Sequence, residues 1–373
     1  MKDILYIANI RLPTEKAHGV QIMEMCSAFS AQGVNVELVV PKRRNTLIED
    51  PFDFYKIKNN FTISRLSTLD LIRFGRIGFV IQSWTFACTA LYYSLTRDVV
   101  SYTRDESVAA LLAFFGREYV FEPHIAKWNI VQQYVLTRAM LIVPISQGLK
   151  DFYAHKGVPE GRMFVAFDAV NLERFIHNEG KIESRKRLLL PISDHFVLYS
   201  GHLYPRKGAH TLAEAAKLLD EHTQVIFVGG TDLDILNFKK KYASVANISI
   251  LGHQSHDEIP YYLSAADVLV LPNSAESDDS RLYASPMKLF EYMASGVPIV
   301  ASDVSSLREV LGEHNAVFVT PDNPESLAKG IRRLQENQHL GETLAGEAKK
   351  TALNHTWEKR AMALIQEILS LLD

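Results

Sequence analysis

An alternation of short apolar segments with amphipathic ones, repeated in each half of the chain, most constrains the fold. The strand-like segments of the first half lie at 3–10, 34–41, 99–103, 119–122 and 141–145. Those of the second half lie at 196–200, 225–229, 248–251, 268–272, 297–302 and 316–319. Apolar strands separated by amphipathic helices are typical of a parallel sheet covered on both faces. The sequence therefore predicts an α/β protein with two doubly wound, Rossmann-like parallel-sheet domains.

Length and charge pattern predict the domain boundaries. With 373 residues, 47% of them hydrophobic, the chain can bury two cores of ordinary size. A charged stretch containing ESRKRLLLP lacks strand periodicity and predicts a linker. We predict a first domain over 1–175, the linker over 176–193, a second domain over 194–355, and a terminal helix over 356–373 that could dock back on the first domain.

Composition argues against several classes of protein. A net charge of −3 without a long basic run disfavours a dedicated nucleic-acid binder. Cys26 and Cys88 lie far apart and lack metal-site spacing, which indicates a reducing compartment. The N-terminus, MKDILYIANI, reads as a strand rather than a signal peptide, so we expect a cytoplasmic protein.

The apolar segment 74–95 requires a decision between a core helix and a membrane element. Polar residues interrupt it, whereas a spanning helix needs about 20 mainly apolar residues. We favour a helix buried against a sheet. The alternative is that Trp84, near Arg73 and Arg76, helps the protein to rest on the inner face of a membrane.

The stretch from Tyr283 to Asp303, YASPMKLFEYMASGVPIVASD, predicts a helix followed by a buried strand. Ser285 and Pro286 fit an N-cap and a first helical position, and Gly296 fits the residue just past the helix end. The start of such a helix presents free N–H groups and the positive end of the dipole, which suits phosphate. Glu291, further along, is the carboxylate that we place against sugar hydroxyls. The alternative is an ordinary amphipathic helix with a surface glutamate.

Loops that follow the predicted strands hold the other candidate residues, because open α/β sheets bind ligands beyond the carboxyl ends of their strands. In SGHLYPRKGAH, Gly201 allows a tight turn, and Arg206 and Lys207 bring two cations to a cleft between the domains. These cations would clamp a diphosphate together with the helix start, although this turn alone could be a solvated basic loop. Gly19 follows the first strand and could approach a ligand. His124 ends another strand; its alternative role is structural hydrogen bonding.

No metal site is predicted. Asp232 and Asp234 form a D-x-D pattern, but they follow two glycines and begin a helix, so we expect Asp234 to interact with the helix N-terminus. Asp278 and Asp279 lie in a polar loop without an obvious third ligand. We therefore expect neither a required metal nor a cofactor.

Several segments together resemble the retaining nucleotide-sugar glycosyltransferases of glycosyltransferase family 4, which have the GT-B architecture of two facing Rossmann-like domains. In the second half they are YSGHLYPRKGAHTL, VIFVGG, ADVLVLPN and SPMKLFEYMASGVPIVASD, of which the last is the most specific. The other similar segments are FEPH at 121–124, ISQGLKDFY at 145–153, DAVNLERF at 168–175 and TWEKRA at 356–361. The similarity thus extends over nearly the whole chain.

The resemblance implies transfer of a sugar from a UDP- or GDP-linked donor, with retention at the anomeric carbon and without metal. It implies that Lys207 contacts the donor diphosphate, with Arg206 beside it, and that Glu291 binds the ribose hydroxyls. It also implies that Gly19 faces the diphosphate and that His124 lies near the transferred sugar. The residues whose backbone amides it places on phosphate are Ser285, Pro286, Met287 and Lys288.

Two positions depart from the family's motifs. The first glutamate of the motif pair is Tyr283 here, and the arginine that often follows the turn glycine is His202. We keep Gly201 and His202 among the predicted donor-binding residues. Because Tyr283 cannot supply a carboxylate, we favour a front-face displacement. In it, Lys207, Arg206 and the helix amides stabilise the leaving diphosphate while the acceptor attacks from the same side.

The predicted function is therefore a retaining, metal-independent glycosyltransferase that acts on a glycan or lipid-linked acceptor. The alternative is a non-catalytic sugar-nucleotide-binding or scaffold protein of the same fold, motivated by Tyr283 and His202. A GT-B-type epimerase would need acid and base carboxylates in the cleft, for which the sequence offers no strong candidates. A nicotinamide dehydrogenase would need a G-x-G-x-x-G, which follows neither first strand. The sequence does not identify the sugar, the base, the acceptor or the oligomeric state.

Overall fold

The protein consists of two compact α/β units in a computed structural model that describes residues 3–176 and 180–372. The first unit comprises Met1–Phe167 and Trp357–Asp373, and the second comprises Asp168–Thr356. Each unit contains one six-stranded sheet in which all the described strand pairs are parallel. The prediction of two doubly wound parallel-sheet domains is confirmed.

The first unit begins with a strand and takes its last helix from the end of the chain. Its strands are β1 (Asp3–Ile7), β2 (Val36–Pro41), β3 (Thr62–Leu66), β4 (Val99–Thr103), β5 (Tyr119–Phe121) and β6 (Leu141–Ile142). Its helices are α1 (Ala17–Ala31), α2 (Pro51–Tyr55), α3 (Gly75–Leu95), α4 (Glu106–Phe114), α5 (Ile130–Arg138), α6 (Gln147–His155) and, from the chain end, α16 (Trp357–Ser370). Short 3₁₀ turns cover Ile72–Phe74 and Glu160–Arg162.

The second unit repeats this plan. Its strands are β7 (His195–Ser200), β8 (Thr223–Val228), β9 (Ile248–Gly252), β10 (Val268–Leu271), β11 (Ile299–Ser302) and β12 (Val317–Val319). Its helices are α7 (Glu173–Ile176), α8 (Gly180–Arg187), α9 (Ala209–Ala216), α10 (Asp232–Tyr242), α11 (Ile259–Ala265), α12 (Met287–Ser295), α13 (Ser305–Arg308), α14 (Pro324–Glu336) and α15 (Gln338–Ala352). A 3₁₀ turn covers Pro205–Lys207, and a π turn covers Asp279–Tyr283.

The strand order determines where each sheet can bind a ligand. The first sheet runs β3-β2-β1-β4-β5-β6, and the second runs β12-β11-β10-β7-β8-β9. In both, the first strand of the unit pairs with the fourth, so the order reverses between β1 and β4 and between β7 and β10. Loops at the carboxyl ends of strands beside such a switch point are the usual ligand site of a doubly wound sheet.

Apolar strands and capped helices account for the elements. The central strands β7 and β10 are buried along nearly their whole length, as expected for parallel strands covered by helices on both faces. Their side chains join a core with α9, α10 and α14 that includes Phe227, Phe238 and Leu327. At the start of α10, Thr231 and Asp234 form a reciprocal capping box, so the predicted role of Asp234 at a helix N-terminus is confirmed.

The structure differs from the predicted boundaries between the units. The division falls after Phe167 rather than after residue 175, and the predicted linker 176–193 contains α8 of the second unit. Residues 177–179 of that predicted linker lie outside the described residues. Helix α8 packs on α11, and Arg185, nearly fully buried, donates to Asp267 at 2.6 Å. The basic run therefore includes a cation that is satisfied by an ion pair.

Helix α3 is only half buried, which differs from the prediction of a helix buried against a sheet. Its buried face includes Phe86, Ala90 and Leu91. A second apolar face lies in solvent and includes Ile77, which is 75% exposed. Within the part of the chain that the structure describes, no helix is both long and apolar enough to cross a membrane.

Candidate functional site

The end of β7 forms the first part of the site in the second unit. Ser200 N donates to the hydroxyl of Tyr292 on α12 at 2.7 Å, which joins the strand end to the helix. Gly208, after the Pro205–Lys207 turn, has φ +73°, and a Cβ there would lie 1.5 Å from the carbonyl oxygen of Pro272. Only glycine fits this position, where the loop after β7 passes the loop after β10.

Lys288 on α12 supplies the most unusual group at this strand end. Its Nζ is buried and lies 3.9 Å from the centroid of the Tyr199 ring, without a hydrogen-bond partner among residues 3–176 and 180–372. A Cβ built on Gly201 would lie 3.8 Å from the same nitrogen, so the strand-end glycine leaves room beside it. Burial lowers the pKa of Lys288 well below its usual value, and Lys207 acts in the same direction. A bound anion would offset this burial and favour the protonated form of Lys288.

Lys207 and Arg206 lie on the turn after β7, as the sequence predicted, but they differ in exposure. Lys207 is half-buried, whereas Arg206 is exposed near the ring of Tyr204. Burial lowers the pKa of Lys207, and Arg206 acts in the same direction against Asp168 and Asp279. The positive charge of Lys207 also lowers the pKa of Lys288.

The start of α12 differs in detail from the predicted phosphate cradle. The N-cap is Pro286 rather than Ser285, and the helix begins at Met287. The Ser285 hydroxyl is buried and accepts from the backbone N–H of Asp168 at 2.9 Å. Its side chain therefore holds the segment that opens the second unit. A side-chain contact between residues so distant in sequence left no signal in the motif.

Glu291 is paired with a histidine that the sequence analysis missed. Its carboxylate lies 2.9 Å from His256 Nε2, and both side chains are largely buried. His256 Nδ1 is buried without a hydrogen-bond partner among the described residues. His256 lies between β9 and α11, in a loop whose sequence has no motif, so only the fold brings it to Glu291.

The two positions that depart from the motif are His202, on the loop after β7, and Tyr283, just before α12. His202 stacks on Tyr204 with ring centroids 4.8 Å apart, and its Nδ1 lies 3.8 Å from Asp234. Tyr283 ends the π turn before α12 and is half-buried. Gly201 has φ +129°, a backbone conformation that favours glycine.

His124 in the first unit belongs to a buried polar cluster around Glu122. Its Nε2 lies 2.6 Å from Glu122 Oε1, which also accepts from Gln21 at 2.7 Å. Tyr102 and Arg360 hold the other carboxylate oxygen. Burial acts to raise the pKa of Glu122, but Arg360 and His124 outweigh it, so the carboxylate is ionised. The ring nitrogen that faces it must therefore carry the proton.

Burial and Arg104 lower the pKa of His124 to about 4, so its imidazole is neutral near neutral pH. Gly19 lies in the first turn of α1 rather than in a loop, and a Cβ there would lie 2.2 Å from the hydroxyl of Tyr55. Close packing alone thus requires glycine at that position. Among the described residues, no group of three His, Cys, Asp or Glu side chains could hold a metal ion.

Comparison with known proteins shows a family match within the second unit. Residues 180–351 match the model of a family described as glycosyl transferases group 1. A putative teichuronic acid biosynthesis glycosyltransferase, TuaC of Bacillus subtilis, is 30% identical over 192 residues, which cover 50% of this chain and 46% of that protein. The chain spans about half to two thirds of the length of the curated relatives that it matches.

Solved structures match over the whole chain and show the fold. Sucrose-phosphate synthase of Thermosynechococcus elongatus has a TM-score of 0.81 at 19% identity, covering 100% of this chain and 99% of that one. HepE of Anabaena, in complex with UDP and glucose, has a TM-score of 0.79 at 16% identity, covering 99% and 100%. The two α/β units thus have the fold of the GT-B glycosyltransferases, as the sequence predicted.

Proposed function

We propose that the chain is a retaining glycosyltransferase, on the premise that residues 180–351 match the glycosyl transferases group 1 family. Its proposed donor is a UDP- or GDP-linked sugar, and its proposed acceptor is a glycan or a lipid-linked molecule. The proposal includes metal independence, with the cations of the protein in the place of a divalent ion.

The observation that carries the proposal is the buried ammonium of Lys288. No hydrogen bond among the described residues offsets its desolvation, and its closest charge-stabilising contact is the ring of Tyr199. An anion bound beside Gly201 would pair with both Lys288 and the nearby Lys207 and relieve the repulsion between them. A diphosphate is suited to this place, because two lysines can contact several of its oxygens. HepE was crystallised with UDP, which makes a nucleoside diphosphate a reasonable choice.

The proposed reaction is a front-face displacement. As the bond between the anomeric carbon and the diphosphate breaks, negative charge grows on the leaving oxygen, where Lys207 and Lys288 stabilise it without reorganisation. Arg206, which is exposed, assists from the turn. The acceptor hydroxyl attacks from the same face, so the anomeric configuration is retained, and its proton passes to the departing phosphate.

The remaining predicted residues are proposed to position the two halves of the donor. Glu291, oriented by His256, binds the ribose hydroxyls. The neutral His124 donates from Nε2 to Glu122, which leaves its Nδ1 as an acceptor for a hydroxyl of the transferred sugar. The phosphates are proposed to lie among Gly201, His202 and the backbone of Pro286, Met287 and Lys288. The Ser285 hydroxyl is not part of this set, because it accepts from the backbone N–H of Asp168.

A second candidate is a non-catalytic sugar-nucleotide-binding protein of the same fold. Its motivation is that Tyr283 occupies the place of a motif glutamate and His202 that of an arginine. The two candidates differ in turnover and agree in binding, so one experiment can separate them.

The experiment is a screen of UDP-, GDP-, ADP- and CMP-sugars in EDTA, with thermal stabilisation and donor hydrolysis as readouts. A ligand that binds only the folded state raises the melting temperature. We expect one donor to stabilise the protein and to be hydrolysed, and Lys207→Ala to lose hydrolysis. Lys240→Ala, which removes an exposed lysine on α10, should behave as the wild type. Stabilisation without turnover would favour the binding protein, and the absence of any stabilising donor would contradict both candidates.

A further inference from the structure

The first unit contains an arginine-lined cavity that none of the proposed donor groups occupies. The loops after β1, β2 and β3 enclose about 380 Å³ at the carboxyl edge of the sheet. The lining residues are Arg11, Arg43, Arg44, Asp70, Ile72 and Arg73. Because this edge is where doubly wound sheets bind ligands, the cavity lies in a functional position.

Positive charge is concentrated in this cavity beyond what its own carboxylate can neutralise. Asp70 lies 3.7 Å from Arg43 Nε and accepts from the backbone N–H of Arg44 at 3.1 Å. The lining thus contains four arginines and one carboxylate. The whole chain carries a net charge of −3, so the cluster does not reflect a generally basic protein. Its local field favours an anion.

Arg43 contributes a buried donor that lacks a hydrogen-bond acceptor. Its side chain is 11% exposed, and its Nε is buried without a hydrogen-bond partner in the described part of the chain. The carboxylate of Asp70 is an ion-pair neighbour at 3.7 Å, but this distance is too long for a hydrogen bond. A buried guanidinium donor without an acceptor is costly, and a bound oxyanion would satisfy it.

Phosphate is the oxyanion that best matches several arginines in one cavity. A phosphate ester presents three oxygens with up to two negative charges, whereas a carboxylate presents two oxygens and one charge. Arginine binds phosphate through two parallel hydrogen bonds, so neighbouring guanidinium groups can contact different oxygens of the same group.

An exposed apolar face begins directly beside this cavity. Ile72 and Arg73 line it, and the chain continues from them into α3. The side chains of Phe74, Ile77, Ile81 and Trp84 follow at spacings of three and four residues, and each is exposed. Residues at such spacing lie on one face of a helix. A phosphate in the cavity would therefore have an apolar surface beside it that suits a hydrocarbon chain.

We propose that the acceptor is a phosphate ester, whose phosphate binds Arg11, Arg43, Arg44 and Arg73, and that α3 contacts an apolar chain attached to it. This inference rests on the proposed glycosyltransferase function only in that it calls the bound molecule the acceptor. The phosphate site itself does not depend on that function. The phosphate can belong to a lipid headgroup or to a soluble ester, and α3 favours the lipid.

The first test is calorimetric titration with inorganic phosphate and glycerol 3-phosphate at constant ionic strength. It uses Lys288→Met protein, so that the second unit does not bind the probe. We expect Arg43→Gln and Arg73→Gln to weaken binding about tenfold or more. Arg76→Gln removes an exposed arginine of α3 that does not line the cavity, and it should leave binding unchanged. Equal loss in all three variants, or no loss in any, would overturn the site.

The second test distinguishes the sources of the phosphate. Co-sedimentation with phosphatidylcholine vesicles, with and without phosphatidic acid, should show binding only to the phosphatidic acid vesicles if the phosphate is lipid-borne. Arg73→Gln should lose that binding, and Phe74→Ser with Ile77→Ser should lose it while keeping glycerol 3-phosphate. Binding of glycerol 3-phosphate with no vesicle binding would assign a soluble ester and overturn the role of α3.

Donor stabilisation, measured on Arg43→Gln with Lys288 intact, separates this proposal from the function on which it rests. Because Arg43 and the donor lysines belong to different units, that stabilisation should equal the wild-type value. A melting curve of each variant checks that it folds, and Arg73, being exposed, provides a substitution that the fold should tolerate. If the wild-type protein binds no donor, the glycosyltransferase function is contradicted, and the phosphate site is still decided by its own titration.

Discussion

Lys288 illustrates a conflict between stability and ligand binding at one residue. Its ammonium is buried over the ring of Tyr199 and has no hydrogen-bond partner among the described residues. The lowered pKa of Lys288 reflects the cost of burying this amine, and replacing it by an apolar group of similar length removes a buried polar group that has no hydrogen-bond partner. We expect Lys288→Met to raise the free energy of unfolding by about 1 kcal/mol or more and to abolish stabilisation by the donor. Urea unfolding with and without donor measures both effects.

Lys240→Met is the matched control, because Lys240 is exposed on α10 of the same unit. It should change the free energy of unfolding by less than about 0.5 kcal/mol and leave donor binding intact. A less stable Lys288→Met protein that still binds donor would show that the ammonium has a structural partner and no part in the site.

His124 makes a prediction about pH. Burial and Arg104 lower its pKa to about 4, whereas an unfolded chain has a histidine pKa of about 6.5. The unfolded state therefore binds more protons between these values, and stability contributed by neutral His124 is lost as the pH falls through that window. We expect the His124 imidazole signal in NMR to stay unchanged from about pH 7 to about pH 5.

The His124→Gln variant assigns this signal, and free histidine in the same buffer gives the reference titration. The stability of the variant should depend less steeply on pH between about 6.5 and about 4. A midpoint near that of free histidine would contradict the buried, neutral imidazole and with it the proposed acceptor role of Nδ1.

At the scale of elements, the apolar pattern was sufficient to predict a strand wherever the segment was buried on both faces. All six strands of the second sheet were predicted, because each is an apolar run between helices. Strand β3 was missed because TISRL carries no apolar run, whereas β9, an edge strand of similar exposure, was predicted because ISIL is such a run. The exposed face of α3 could not be recognised either, since helical spacing does not tell which apolar face meets the core.

The residues of the candidate site were likewise predicted only in part. Lys207, Glu291 and His124 were predicted as candidates from a family motif or from their place after a strand, and their roles stay predictions. His256, Glu122 and the cavity around Arg43 were not predicted, because their contacts join residues that are distant in sequence, from separate loops, strands and helices. The burial of the Lys288 side chain was also missed. Its position was predicted from backbone amides, whereas the place of its Nζ depends on Tyr199 and Gly201 at the end of β7.

The turn before α9 depends on one glycine, which gives a prediction at this scale. Gly208→Ala would place a Cβ against the Pro272 carbonyl at a positive φ. We expect a loss of about 2 kcal/mol or more in the free energy of unfolding. Gly346→Ala, in α15 where a Cβ meets nothing within 4 Å, should instead add about 0.5–1 kcal/mol. Urea denaturation of both variants tests this, and equal effects would contradict the steric argument.

At the scale of the whole molecule, the first unit is completed only by the last segment of the chain. Helix α16 packs on α1 and buries Trp357, Leu364 and Ile368. Arg360 on the same helix donates to Glu122 at 2.9 Å and to the backbone oxygen of Phe167 at 2.8 Å. The buried carboxylate that orients His124 thus depends on a residue more than two hundred positions away.

Deleting residues 357–373 should therefore destabilise the first unit selectively. The deletion exposes apolar surface on α1 and leaves the buried Glu122 without its cation, a loss that typically costs about 3–5 kcal/mol. Hydrogen exchange should show lost protection in α1, β4 and β5, while β7 to β12 keep theirs, because all of those strands belong to the second unit. Deleting only residues 371–373, after α16, is the control and should change neither. Uniform loss of protection would mean that the two units unfold together, and unchanged protection in α1 would contradict the assignment of α16 to the first unit.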